Sequence, residues 1–382
     1  MQQPFITPEM YFGSNHYEDL KNNPFRSVFE SKKGDLKFAF LESADYLKDS
    51  IVGAYNKLLE EYYSDEEIKP TSIKTTWFKN LEVRVDINEN IDGGDVYIFS
   101  SPFNPNKFYT DDNSERRTVN DYTMELLNSI EVVKRHGGNA VPVVFYLPYS
   151  RQDKPDYMER QSGGASLLAK MIETAGASRM IGFNFHAPQL KEYFNIPVDE
   201  IDMSRLFSDY FSSYGNREDT MIIGPDAGSL KWIKRVARNL GLRYSSADKV
   251  RTAPNTAQVD DINADFRGIE KVIMLDDMWD TVGTAKGAIE FLVDNTNVRE
   301  VSLASFFPLL NDPAPERIQS LIDEGIVTDL VTMPTMEQRD KVKDIELYHE
   351  LPIQRYIARL VNKRHYANSI KSTFEDFKVN GD

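Results

Sequence analysis

Cysteine is missing altogether from the 382 residues. That excludes a disulfide framework, a thiolate zinc site, an iron–sulfur cluster and a cysteine nucleophile. It also suits an intracellular chain. Positive charge is in deficit: 45 Lys and Arg face 60 Asp and Glu, a formal charge of −15. This balance argues against wholesale nucleic-acid binding, which needs a basic face, and leaves room only for a local basic patch. The N-terminus, MQQPFITPEMYFGSNHYEDL, has no basic n-region and no apolar h-region, so no secretory signal is expected. No run approaches the ~18 apolar residues of a membrane span. There is no G-x-x-x-x-G-K-[ST] loop and no protein-kinase motif set, so any bound nucleotide must be cradled by something else. The expectation is a soluble cytoplasmic protein with no nucleic-acid or membrane partner.

What is present is enough for a large core. The hydrophobic fraction is 41%, with 22 Phe and 19 Tyr, and a prior of ~150 residues per domain gives about 2.5 domains. Continuous apolar runs read as strands: LKFAFLES from Leu36, DVYIFSS at 95–101, AVPVVFYLPY at 140–149, RMIGFNFH at 179–186, MIIGPD at 221–226, KVIMLDD at 271–277 and EVSLASFF at 300–307. Helix-period segments separate them, several ending at a glycine (Gly137, Gly176, Gly241) as a C-cap would. Alternation of strands and helices, with strands apolar on both faces, predicts parallel sheets covered by helices. The units fall into two batches. We therefore expect an N-terminal extension at 1–35, one α/β domain at 36–204, a second at 205–350, and a C-terminal helix and tail at 351–382.

In such folds ligands bind beyond the carboxyl ends of the strands. Val272–Leu275 runs into Asp276 and Asp277, then Asp280, Thr281, Val282, Gly283 and Thr284 before a helix begins. Adjacent carboxylates can take vicinal hydroxyls, or a metal bridging to them. The turn offers backbone N–H groups and two hydroxyls at a helix N-terminus, which in physical terms is a phosphate cradle. The bland alternative is an acidic loop before an N-capped helix. Lys249 and Arg251 sit on a polar stretch with Pro254 and Asn255. Two cations there suit the charge on a transferring phosphoryl group, or belong to an ordinary exposed loop. Arg151, Gln152 and Asp153 follow another strand: the Arg can clamp a polyphosphate, and the Gln–Asp pair can bond a base or sugar. A solvated turn is the competing account. His186 ends a strand and could bind metal or phosphate. Asp226 ends another, where a turn-forming role is the simpler one.

Taken together these segments resemble the ribose-phosphate diphosphokinase (phosphoribosyl pyrophosphate synthetase) family. Its D-D-x-x-D-T-x-x-T signature stands as VIMLDDMWDTVGT and its Y-x-R-Q-D segment as YSRQD. Its F-x-D/N-x-E element stands as Phe78-Lys79-Asn80-Leu81-Glu82, followed by VRVDI. HAPQLKEYFNIPVD matches its histidine segment, Pro225–Gly228 its P-D-x-G turn, Lys249-Val250-Arg251 its K-x-R loop, and PAPERI its P-A-x-E-R-I. The likeness spans about 36 to 373, in the family's order.

The resemblance implies two tandem type I phosphoribosyltransferase-like domains, each a mainly parallel sheet flanked by helices. It implies transfer of the β,γ-diphosphoryl group of Mg-ATP to the 1-hydroxyl of ribose 5-phosphate. Asp276 and Asp277 would hold the ribose hydroxyls, and Asp280, Thr281, Gly283 and Thr284 the 5-phosphate. Arg151, Gln152, Asp153 and His186 would contact ATP, with Phe78, Asn80 and Glu82 of a neighbouring subunit around adenine. His186 and Asp226 would lie near Mg²⁺, and Lys249 and Arg251, with His186, would serve catalysis. A dimer-based homo-oligomer, up to a hexamer, is expected. Departures are Asn184 where the family commonly has Asp, Val250 inside the loop motif, Ser305-Phe306-Phe307 for T-H-G, and Val282-Gly283 for Gly-Gly. Two other readings stay open: a catalytically silent homologue with a regulatory or assembly role, and a phosphoribosyltransferase.

Overall fold

A computed structural model describes residues 33–63, 67–154, 160–253, 256–262, 264–367 and 369–370, with the backbone alone at 61–63, 248–253 and 256–261. The extension expected at 1–35 lies outside the described residues up to 32, as does the end of the tail from 371. The chain divides into two compact units. The first takes the described chain up to Phe103, then Asp112–Glu200, then Ile353 onward; the second takes Asn104–Asp111 and Ile201–Pro352.

The first unit contains β1 (Leu36–Phe40), β2 (Ile73–Trp77), β3 (Val83–Ile87), β4 (Asp95–Ser100), β5 (Asn139–Val144), β6 (Met180–Phe183) and β7, which begins at Val198 and ends at Ile201. Its sheet runs β1-β4-β5-β6-β7, with β1, β4, β5 and β6 parallel. All six residues of β4 are buried, which is why its sequence is apolar without alternation. Phe40, Phe99, Phe145 and Phe183 stack in strand order across the sheet, with centroids 4.4, 6.4 and 5.3 Å apart. Helices Val119–Arg135 and Gly164–Ala175 contribute Leu126, Ile130, Val133, Leu168 and Ile172 to the core. The first begins with a reciprocal capping box between Thr118 and Asp121. The second ends at Gly176, whose φ of +108° an L side chain would resist. The C-terminal helix, Gln354–His365, is integral to this unit. His365 Nδ1 lies 3.0 Å from Asp95 Oδ2 with both side chains fully buried, and the Tyr55 hydroxyl donates to Asn362 Oδ1 at 3.0 Å.

The second unit contains β8 (Thr220–Gly224), β9 (Arg243–Ala253), β10 (Thr256–Ile262), β11 (Lys271–Trp279), β12 (Glu300–Pro308), β13 (Val327–Thr332) and β14 (Tyr348–Glu350). Its sheet runs β10-β9-β8-β11-β12-β13-β14. Pairing is parallel throughout except β9 with β10. Helices Leu230–Leu240, Gly283–Asn295 and Ala314–Asp323 flank this sheet, the last two burying Ala285, Ile289, Leu292, Ile318 and Leu321 in its core. From β8 the chain steps to β9 on one side, then returns to β11 on the other. The strand order therefore reverses between β8 and β11, which is the switch point where open α/β sheets bind ligands.

Candidate active site

The switch point carries the acids. Beyond β8, Asp226 caps a short turn by accepting the Gly228 N–H at 2.9 Å; beyond its pairing with β8, β11 delivers Asp276 and Asp277. Asp276 Oδ1 accepts the Asp277 N–H at 2.9 Å. Burial first, then the charges of Asp277 and Asp226, push the Asp276 carboxyl well above the usual carboxylate range. Carboxylates so disposed call for a counter-charge or for hydroxyl donors. Asp226 thus has the turn-forming role that its sequence position suggested. Ser305, fully buried on β12, pins the end of β11: its hydroxyl donates to Asp277 O at 3.2 Å and accepts from Trp279 N at 3.2 Å.

The turn after β11 enters helix Gly283–Asn295, and no side chain caps that N-terminus. Its first N–H groups, at Gly283, Thr284 and Ala285, are the free ends that favour an anion. The left-handed residue of the turn is Val282, at φ +58°, rather than Gly283. A β-branched residue there is strained, and burial of its side chain in the core holds it (4% exposed). Arg317 Nη1 donates to Thr281 O at 2.7 Å. It also sits 3.0 Å from where a Cβ on Gly283 would lie, so position 283 has little room for a side chain. Asp280 Oδ1 accepts from Asn311 Nδ2 at 2.8 Å.

The stretch holding Lys249 and Arg251 differs from the loop expected from its polarity. It is strand β9, antiparallel to β10, with Lys249 opposite Val259 and Arg251 opposite Ala257. The hairpin's cross-strand bonds satisfy a backbone whose polar sequence hid the strand. Asn255 lies outside the described residues.

In the first unit, YSRQD turns sharply. Tyr149 is left-handed at φ +59°, its carbonyl accepts Gln152 N–H at 2.8 Å, and Arg151 and Gln152 are exposed. Asp153 is drawn to the histidine segment: its carboxylate accepts from Gln189 Nε2 and its carbonyl from the Tyr193 hydroxyl. His186 is half-buried, two residues past Asn184, which is buried at φ +39°, a conformation Asn tolerates better than most residues. Phe78, Asn80 and Glu82 gather on the turn of the β2–β3 hairpin. Phe78 N–H donates to Glu82 O at 2.8 Å, and Asn80 Oδ1 accepts Glu82 N–H at 3.3 Å. All three are exposed, Phe78 at 44%. The sequence reading assigned no role to Tyr109, Asn311 or Arg317. Of these only Arg317 lay inside a motif, PAPERI.

Among the described residues, no group of three or more His, Asp or Glu side chains is arranged to hold a metal, and no helix is long and apolar enough to cross a membrane.

A doubly wound sheet with acids at its switch point and a bare helix N-terminus beside them defines a ligand-binding α/β class, and comparison with known proteins gives the family. Residues 41–176 match the model of the N-terminal domain of ribose phosphate pyrophosphokinase, and 189–324 that of the phosphoribosyl transferase domain. Ribose-phosphate pyrophosphokinase 1 of Listeria monocytogenes is 32% identical over 86% of this chain and 97% of its own. The ribose-phosphate pyrophosphokinase of Bacillus subtilis is 33% identical over 78% and 88%. The crystal structure of phosphoribosylpyrophosphate synthetase from Mycobacterium smegmatis shares the fold, with a TM-score of 0.71 and 23% identity over 87% of this chain and 99% of that one. The chain belongs to the ribose-phosphate pyrophosphokinase family.

Proposed function

We propose that the chain is an active ribose-phosphate diphosphokinase, making 5-phosphoribosyl 1-diphosphate and AMP from ATP and ribose 5-phosphate for nucleotide biosynthesis. The observation that carries this is the placement of Asp226 beyond β8 and of Asp276 and Asp277 at the end of β11, the two strands between which the order reverses, next to an uncapped helix N-terminus. Carboxylates accept from vicinal ribose hydroxyls, while amides and the Thr281 and Thr284 hydroxyls receive the 5-phosphate. The 1-hydroxyl oxygen attacks the β-phosphorus as the α–β bridging bond breaks. AMP leaves, and the hydroxyl proton goes to solvent or buffer.

Arg151, Gln152, Asp153 and His186 bind ATP in this reading, and Lys249 and Arg251 neutralise charge on the group in transfer. Magnesium takes oxygen ligands, so Asp226 suits it better than the His186 imidazole. When bound, the ion neutralises polyphosphate charge. The exposed Phe78 and Leu81 (44% and 42%) suit the adenine pocket of a neighbouring copy, hence a dimer-based homo-oligomer up to a hexamer, working in the cytoplasm. No observation favours a silent homologue or a simple phosphoribosyltransferase.

The test is ³¹P NMR of the purified chain with ATP, ribose 5-phosphate and Mg²⁺. AMP and a diphosphate-bearing sugar should appear only when all three are present, and EDTA should abolish them. Release of free pyrophosphate, or no AMP, would overturn the reading.

A further inference from the structure

Asp280 sits uneasily in a turn meant for a phosphate. A carboxylate offers only acceptors and so does a phosphate dianion, so the two repel unless other donors hold the carboxylate. Asn311 is such a donor, through Nδ2 to Asp280 Oδ1 at 2.8 Å. Because a carboxylate cannot donate, that bond fixes which way the Asn311 amide faces. Its oxygen accordingly accepts from the Tyr109 hydroxyl at 3.1 Å. The Tyr109 oxygen in turn accepts the Asp312 N–H at 3.1 Å. Three bonds thus point one way, from the Asp312 amide to the Asp280 carboxylate, and bonds aligned in this way polarise one another.

Tyr109 comes from far away in the chain, 202 residues before Asn311. It lies on Asn104–Asp111, the short excursion that joins the second unit. The excursion is tied down along its length. Asn104 caps helix Pro105–Phe108 and its Nδ2 donates to Glu337 Oε2 at 2.9 Å. Asn106 Nδ2 donates to Gln338 O at 3.0 Å. The Arg339 guanidinium lies 4.0 Å over the Tyr109 ring. It also bonds Leu310 O at 2.7 Å and pairs with Asp312 at 2.9 Å. The ring is therefore fixed independently of its hydroxyl.

We propose that Tyr109, acting through Asn311, is a positioning residue for Asp280, so that the Asn104–Asp111 strap sets the affinity for the sugar phosphate without touching it. This rests on reading the Asp280–Thr284 turn as the 5-phosphate site. Tyr109→Phe keeps the ring and its guanidinium stack and deletes two of the relay's three bonds, the one given to Asn311 Oδ1 and the one taken from the Asp312 N–H. Losing the neutral bond that orients Asn311 toward Asp280 predicts a rise of about 5- to 10-fold in KM for ribose 5-phosphate. KM for ATP and kcat should stay within about twofold, with an unchanged melting temperature. Asn311→Asp places a second carboxylate against Asp280 and should cost more than Tyr109→Phe in the same parameter. Thr284→Val separates the layers. If it raises KM for ribose 5-phosphate while Tyr109→Phe does not, the relay is refuted and the phosphate turn stands. If neither variant moves that KM, or the wild type does not turn over, the turn assignment falls and the relay with it. If Tyr109→Phe raises both KM values and lowers the melting temperature, its role is structural only and the proposal is overturned.

Discussion

The two sheets share parallel strands and covering helices, yet they offer ligands different things. The first adds its strands monotonically, β1-β4-β5-β6-β7, so no adjacent pair of strands splits apart to open a crevice. Its candidate groups stand on turns: the YSRQD bend, the segment after β6, and the exposed β2–β3 tip. The second reverses its order between β8 and β11 and sets acids at that reversal, with a bare helix N-terminus alongside. Val282 is held left-handed by core packing beside the reversal, whereas the left-handed Leu81 in the first unit lies on an exposed hairpin tip. A switch point preorganises polar groups on rigid strand ends, which suits a small sugar phosphate. Turns on a monotonic sheet present adaptable side chains, which suits a larger nucleotide.

The largest effect that would sharpen this contrast is on turnover. Lys249→Ala, on β9 of the second unit, should lower kcat by about 10²–10³-fold while KM for ATP stays within a few-fold. Steady-state kinetics decides it, and a large loss of ATP affinity would move Lys249 to the nucleotide side. A smaller effect belongs to the first unit. Glu125 is fully buried and accepts the Thr75 hydroxyl at 2.6 Å and the Glu42 N–H at 3.2 Å, anchoring β2 to helix Val119–Arg135. Burial pushes its carboxyl up to about 7 from 4.5. The folded state thus holds a proton that the unfolded chain gives up at lower pH. This contribution to stability is full below about 4.5 and is lost as pH rises through about 7. Urea midpoints should fall between pH 5 and 8, and Glu125→Gln should flatten that slope. An unchanged slope in the variant would contradict the assignment.

The parallel core was legible because strands buried on both faces read as apolar-rich runs without regular polar alternation, as in β4, β8 and β12. The position of the acids and of the turn after β11 was legible because they follow such runs directly. The hairpins were harder. RYSSADKVRTA is polar along its length, and its pairing with β8 on one side and β10 on the other makes it a strand. The relay to Asp280 left no local trace, since its partners lie 31 and 202 residues apart and no periodicity links them. The left-handed backbone of the turn fell at Val282 rather than at the neighbouring glycine because the core, which no local pattern reports, holds that side chain.

The central claim is that the reversal between β8 and β11 binds the ribose phosphate while the first unit's turns bind ATP. Titration calorimetry on the full chain, with ribose 5-phosphate and separately with a non-hydrolysable ATP analogue in Mg²⁺, tests it through the double variant Asp276→Asn/Asp277→Asn. The account predicts that ribose 5-phosphate affinity drops by at least about tenfold while analogue affinity changes less than about threefold. Unchanged ribose 5-phosphate binding, or a loss confined to the nucleotide, would contradict it.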